Sequence, residues 1–151
     1  MWLGEAQGSL WIAGTSGVLR EYDLQGHLRR RDDTRGENFR HLSGDSSSNL
    51  YVVGSGGLLH FDGTAWQRVE GAPLTALGDV VARGADVMVL GLQGGERRVV
   101  HRRDGTWTVH EVPDAVDLGV LRSGLDEVFL LERDRAGVPT RQRGAIFTMR
   151  W

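Results

Sequence analysis

The sequence predicts an all-β chain, a β-propeller-like array of about four four-stranded antiparallel units, on three observations. Glycine is abundant, 22 of 151 residues, and proline is scarce at 3, a bias that suits tight turns rather than long helices. Short β-branched and aromatic runs alternate with turn clusters, most clearly over residues 49–71. The same alternation returns along the chain at a period of about 40 residues, and periods of 20–50 residues decide a fold before local propensity does.

Residues 49–71 read NLYVVGSGGLLHFDGTAWQRVEG. Leu50 to Val53 is one strand, Gly54 to Gly57 a tight turn, and Leu58 to Phe61 a second strand. Asp62 to Thr64 turns again before a third run opens at Trp66, so the stretch is a three-strand meander.

Three further copies follow the same plan. Residues from Gly8 align Leu10 to Ala13 with Leu50 to Val53, and Gly17 to Asp23 with Gly57 to Asp62. Residues from Ala85 match with a longer hairpin, and Asp104 to Trp107 repeat the Asp-Gly-Thr to Trp turn. From Asp126 the match is weakest: Val128 to Leu131 keep register, but no Asp-Gly turn follows. The first positions Leu10, Leu50, Val87 and Val128 lie 40, 37 and 41 residues apart. Upstream of each sits a further apolar segment: Trp2 and Leu3, Phe39 to Leu42, Val80 to Ala82, and Leu118 to Leu121. With that segment each unit has four strands, over approximate spans 1–35, 36–74, 75–114 and 115–151. A four-stranded sheet cannot hide both faces alone, so the units must stack, as propeller blades do.

The run LYVVGSGGLLHFDGTAW resembles the bacterial β-propeller repeats of the WD-repeat and YVTN type. Their consensus has an aspartate-valine-tryptophan-alanine-valine-glycine strand, a Gly-Gly hairpin, an isoleucine-leucine-histidine-tyrosine strand and an Asp-Gly-Thr-x-Trp turn. The resemblance is closest over Leu50 to Trp66 and covers all but the ends of the chain. It implies a fold and little about ligands. Aligning RGAIFTM with GGLLHFD places the fourth unit's third strand at the C-terminus and leaves that unit a strand short. Two arrangements stay open: part of a larger propeller, or a small ring or open array closed by another copy. Either leaves an edge that calls for a partner.

The totals narrow the function. Net charge is −2, which offers no global attraction to nucleic acid or to an acidic membrane surface, so neither is expected as a partner. All 18 positive residues are Arg, which reads as compositional bias. The absence of Cys excludes disulfides, thiolate metal sites and a Cys nucleophile. No signal-peptide pattern opens the chain and no apolar run reaches membrane-span length, which favours the cytoplasm.

Individual residues read as structure first. Trp66 and Trp107 share one repeat position and are expected to pack between units. Asp62-Gly63 and Asp104-Gly105 are turn chemistry, without the further carboxylates calcium would need. Gly54, Gly56 and Gly57 precede a strand rather than a phosphate-binding helix. His60 and His101 fall on equivalent positions, as a repeat would place them, and His27, His41 and His110 are scattered, so no metal or other cofactor is expected. Ser16 and Ser55 lie in hairpin turns, and Asp32-Asp33 and Asp126-Glu127 point to opposite faces of a strand, so no catalytic residue is assigned.

Arginine groups remain: Arg29 to Arg31, Arg97-Arg98, Arg102-Arg103, and Arg133, Arg135, Arg141 and Arg143. They read as solvated faces and protected edges, or as a basic patch. The chain departs from its own repeat at Gln93 to Arg98 and at Arg133 to Arg143, and insertions on one rim are where specificity sits. The candidate binding residues are therefore Gln93, Glu96, Arg97, Arg98, Arg133, Arg135, Arg141 and Arg143. The expected function is a non-catalytic binding or scaffold module for a protein partner or another copy of the chain. The alternatives are a lectin-like propeller, which needs exposed aromatics, and a hydrolase or lyase, which needs carboxylates or His converging on a central channel.

Overall fold

Apolar residues at period two, punctuated by Gly and Asp, fold here into antiparallel meanders. The computed structural model describes residues 2–6, 8–34, 37–111, 119–123, 127–132 and 147–151. Among these lie fifteen strands in four sheets, and within every sheet the strands follow chain order. The first sheet holds β1 (Trp2–Ala6), β2 (Ser9–Ala13), β3 (Val18–Asp23) and β4 (Leu28–Asp33). The second holds β5 (Phe39–Ser46), β6 (Asn49–Gly54), β7 (Gly57–Phe61) and β8 (Trp66–Arg68). The third holds β9 (Ala76–Arg83), β10 (Asp86–Gln93), β11 (Glu96–Arg103) and β12 (Thr106–Glu111). The fourth holds β13 (Gly119–Ser123), β14 (Glu127–Glu132) and β15 (Phe147–Arg150), three strands among the described residues. The upstream apolar segments are the first strands of their sheets, and the fourth sheet's third strand is at the C-terminal end.

Turn chemistry follows the letters, with one difference. Ser55-Gly56 and Gly94-Gly95 are two-residue turns, flanked by the pairs Gly54–Gly57 and Gln93–Glu96. Asp104 and Gly105 both have positive φ, 50° and 79°, the conformation a two-residue hairpin requires. The similar Asp62-Gly63 instead opens a four-residue loop, because Ala65 adds a residue before Trp66 pairs with Phe61. Asp62 Oδ1 accepts the Thr64 and Ala65 N–H groups at 2.8 and 2.9 Å and sets that loop.

The sheets stack face to face. Trp11, Ala13 and Leu19 of the first sheet meet Leu42, Leu50, Val52 and Phe61 of the second. Tyr51, Val53 and Leu58 meet Val80, Val87, Val89 and Val100 of the third, with the half-buried Trp107. Met88, Leu90 and Val99 meet Leu121 and Val128 of the fourth. Successive side chains on a strand point to opposite faces, so Leu50 and Val52 serve one interface while Tyr51 and Val53 serve the next. Burial on both faces is why β6 and β10 read as continuous apolar runs. The first strands pack in series, β1 on β5, β5 on β9 and β9 on β13. Among the described residues no helix is long and apolar enough to cross a membrane.

Trp11 is the largest fully buried side chain among the described residues. Its ring lies 5.4 Å from that of Phe61 and 6.0 Å from that of Trp66, centroid to centroid. Its indole N–H has no hydrogen-bond partner among the described residues. Trp11→Ala is expected to cost about 3–5 kcal/mol by urea unfolding, through the cavity it leaves. Trp11→Phe should cost clearly less, because it keeps most of the ring and removes an unmet donor.

Candidate functional site

Three places gather polar groups: the row of first strands, the cross-strand pairs inside each sheet, and the end that carries the turns after the second strands.

Along the first strands, His41, Ser43 and Asp45 stand at alternate positions of β5. Each reaches the backbone of β9 or of the turn that follows it one repeat on, at an offset of 39 residues. His41 Nδ1 donates to the Val80 carbonyl at 3.0 Å, Ser43 Oγ accepts the Ala82 N–H at 3.1 Å, and Asp45 Oδ2 accepts the Gly84 N–H at 2.6 Å. Asp79 on β9 continues the series, its Oδ2 accepting the Leu121 N–H of β13 at 2.9 Å. His41 pairs across to Val53 as Asp79 pairs to Leu90, so the two occupy one repeat position. Asp79 is buried, and its Oδ1 takes the Val80 N–H at 2.9 Å and an ion pair from His41. Arg122 Nη1 stands 3.8 Å from Oδ2. A buried carboxylate so surrounded has its charge met by hydrogen bonds and a cation. The sequence carried a signal for it, a lone Asp inside the apolar run 76–82, which our reading of the sequence passed over; His41 was noted only as scattered.

Inside the sheets one polar pair recurs between the start of the second strand and the third strand. Ser9 Oγ donates to Glu21 Oε1 at 2.7 Å, His60 Nε2 bonds Asn49 Oδ1 at 2.8 Å, and His101 Nε2 stands 3.5 Å from Asp86 Oδ1. His60 also stacks on Tyr51, ring centroids 4.3 Å apart. Burial pushes both imidazoles below the usual histidine range. Among the described residues no group of three or more metal-ligating side chains gathers.

At the turn-bearing end, the two described connections between sheets each lie against a turn. Gly17 N–H donates to the Glu37 carbonyl at 2.6 Å, Ser55 N–H to the Asn38 carbonyl at 3.1 Å, and Thr75 N–H to the Leu92 carbonyl at 2.7 Å. β8 is only three residues long, so the chain leaves the second sheet early and a cleft of about 330 Å³ opens between the Ser55–Gly57 turn and the connection 69–75. Leu58, Leu74 and Leu77 give it an apolar lining, and Arg40, Arg68 and Glu70 line it with charge. Arg68 is engaged by Glu37 at 3.3 Å and Glu70 at 3.9 Å. Arg40 is exposed and makes no ion pair among the described residues. Glycine is favoured in the wall at Gly57, whose φ is +110°, whereas a Cβ on Gly56 would meet only the movable end of the Glu37 side chain.

The candidate binding residues fall beside this cleft or outside the described residues. Gln93 and Glu96 flank the Gly94-Gly95 turn, Arg97 pairs with Leu92, and Arg98 pairs with Gly91. The stretch is thus a lengthened two-strand hairpin rather than an irregular loop. Arg98 Nη1 donates to the Arg97 carbonyl at 2.8 Å and stands 3.7 Å from Glu96. The hairpin touches the cleft through Thr75, whose N–H and Oγ1 both donate to the Leu92 carbonyl. Arg133, Arg135, Arg141 and Arg143 lie outside the described residues.

Other expected features are occupied internally. Arg29 pairs with Asp23, Arg30 with Asp32, and Arg31 and Arg20 with Asp33, so this arginine group is balanced by carboxylates. Trp66 Nε1 donates to Asp32 Oδ2 at 3.1 Å and Trp107 Nε1 to the Glu70 carbonyl at 3.3 Å, each tying its sheet to the one before. Both rings are half-buried. Compared with protein-family models and with curated proteins, the chain matches none.

Two outcomes follow. Asp79→Ala leaves the Leu121 N–H without its acceptor and should lower stability by about 1–3 kcal/mol in urea unfolding. Acidification should weaken the fold in two stages. The folded pKa values of His60 and His101 are depressed, so their contribution is present above the unfolded value of about 6.5 and lost as pH falls through the folded ones. Asp23 and Asp62 are likewise held low, chiefly by backbone N–H donors from His27 and Ala65, and their contribution is lost below about pH 4. The urea midpoint should fall between pH 7 and 5, less so in a His60→Gln, His101→Gln double variant; an equal fall in that variant would remove the assignment.

Proposed function

We propose that the chain is a β-propeller-type repeat array, like the bacterial repeats its sequence resembles, and that it serves as a non-catalytic binding module for a protein partner. The observation that carries this reading is the cleft beside the Ser55–Gly57 turn. Its wall is glycine-rich, so backbone groups stand close to any occupant. Its lining offers the half-buried Leu74, backed by the core residues Leu58 and Leu77, to an apolar side chain, and Arg40 makes no ion pair among the described residues. That combination suits an extended peptide segment with an apolar and an acidic side chain in proximity. The hairpin of Gln93, Glu96, Arg97 and Arg98 borders the same end and would extend the contact.

Support also comes from how the groups needed by the other readings are used. A sugar platform needs exposed aromatic faces with free polar neighbours, whereas Trp11 is buried and the Trp66 and Trp107 N–H groups are bonded within the chain. A central-channel enzyme needs a carboxylate or imidazole available to substrate, whereas the oxygens of Asp79 accept backbone N–H groups.

Selection from a displayed peptide library, followed by amide NMR of the bound chain, tests the proposal. Selected peptides should carry Asp or Glu and shift the amides of Ser55 to Gly57, Ala72, Leu74 and Thr75, and Arg40→Glu should weaken them several-fold. Peptides that leave those amides unmoved, or bind Arg40→Glu equally well, would overturn it.

A further inference from the structure

One sheet face stands out when equivalent positions are compared. Leu10, Ile12 and Tyr22 of the first sheet pair in the same register as Leu50, Val52 and Phe61 of the second. In the second sheet these three are buried to 2% exposure or less against the first sheet, and in the third sheet Val87 and Val89 at the first two positions are buried against the second. In the first sheet the same positions are left partly exposed. Val18 beside them is also partly exposed, and Leu28, which pairs with Tyr22, is 51% exposed. Arg20 lies within this face, opposite Ile12, with its charge met by Asp33, and Arg31 pairs with the same carboxylate on the outer strand. Five apolar side chains around one internally neutralised arginine are closer to the make-up of an interface than to solvated surface.

By strand register, the fourth sheet holds the positions that oppose such a face elsewhere in the chain. Each contact between consecutive sheets sets the Trp11 and Ala13 positions of one against the Leu50 and Val52 positions of the next. In the fourth sheet, the positions equivalent to Trp11 and Ala13 are Phe129 and Leu131 on β14, by pairing register. No described sheet follows the fourth, and the first and fourth sheets do not pack as consecutive sheets do among the described residues.

We infer that the Leu10, Ile12 and Tyr22 face is a docking surface for a second copy of this chain, which seats its fourth sheet there head to tail. The contact continues the series of sheet-to-sheet interfaces already within the chain, with the same residue positions on both sides. It is heterologous, since two different faces meet. It stands on sheet stacking alone and is independent of the cleft.

Light scattering over a concentration series tests this on the whole chain. The expected result is a mass that rises above the single-chain 16.6 kDa with concentration, and an Ile12→Arg variant that stays at that mass with unchanged circular dichroism. Because the chain has no cysteine, single-cysteine variants give a second measurement that does not depend on a disruptive substitution. Ile12→Cys mixed with Leu131→Cys should form a disulfide-linked dimer on oxidation, and neither should link to itself. A chain that stays at 16.6 kDa throughout, association unaffected by Ile12→Arg, or self-linking of Ile12→Cys would each overturn the proposal.

Discussion

The arrangement depends on how one sheet is held against the next at the row of first strands. There the sheets do not share a backbone ladder; side chains of one strand bond the backbone of its neighbour a repeat away. His41, Ser43 and Asp45 do this from β5 to β9, and Asp79 does it from β9 to β13. Buried edge groups of a strand must find partners, and these side chains supply them. A constant offset of 39 residues along three successive contacts fixes translation as well as orientation, which apolar packing alone leaves loose.

Packing then divides the work between two faces of each strand. The apolar runs of β6 and β10 fill two interfaces at once, and the Trp66 and Trp107 N–H groups tie the outer strands backward onto the preceding sheet. The inner strands are thus held by polar ladders and the outer strands by aromatic side chains with a polar end. Where the fourth strand is cut to three residues, at β8, the chain leaves its sheet early and the cleft lies beside the connection that follows. The same reasoning makes the first sheet's outward face conspicuous, because it carries the residues of an interface without a described neighbour.

Much of this was legible in the sequence. Gly, Asp-Gly and the apolar runs located the hairpins, and the repeat located the first strands and the third-strand position of Phe147–Arg150. The candidate site was less so. Gln93 to Arg98 was found as a departure from the repeat, but its extra residues lengthen two strands instead of forming a loop, since Gly94-Gly95 closes them tightly. The cleft itself brings together Arg40, the Ser55–Gly57 turn and the connection 69–75, which are separate in the chain and share no motif.

By itself the sequence determined the elements: period-two apolar runs require strands, glycine and aspartate set where they turn, and a four-strand unit that cannot bury both faces requires stacking. Only the tertiary structure decided what depends on register between units. It made Asp79 a buried link between sheets, balanced the Arg29 to Arg31 group with carboxylates, and left Arg40 without an ion pair among the described residues. The physical reason is that strand formation follows from neighbours in sequence, whereas the partner of a charged or hydrogen-bonding side chain is set by which backbone lies across from it, some forty residues away.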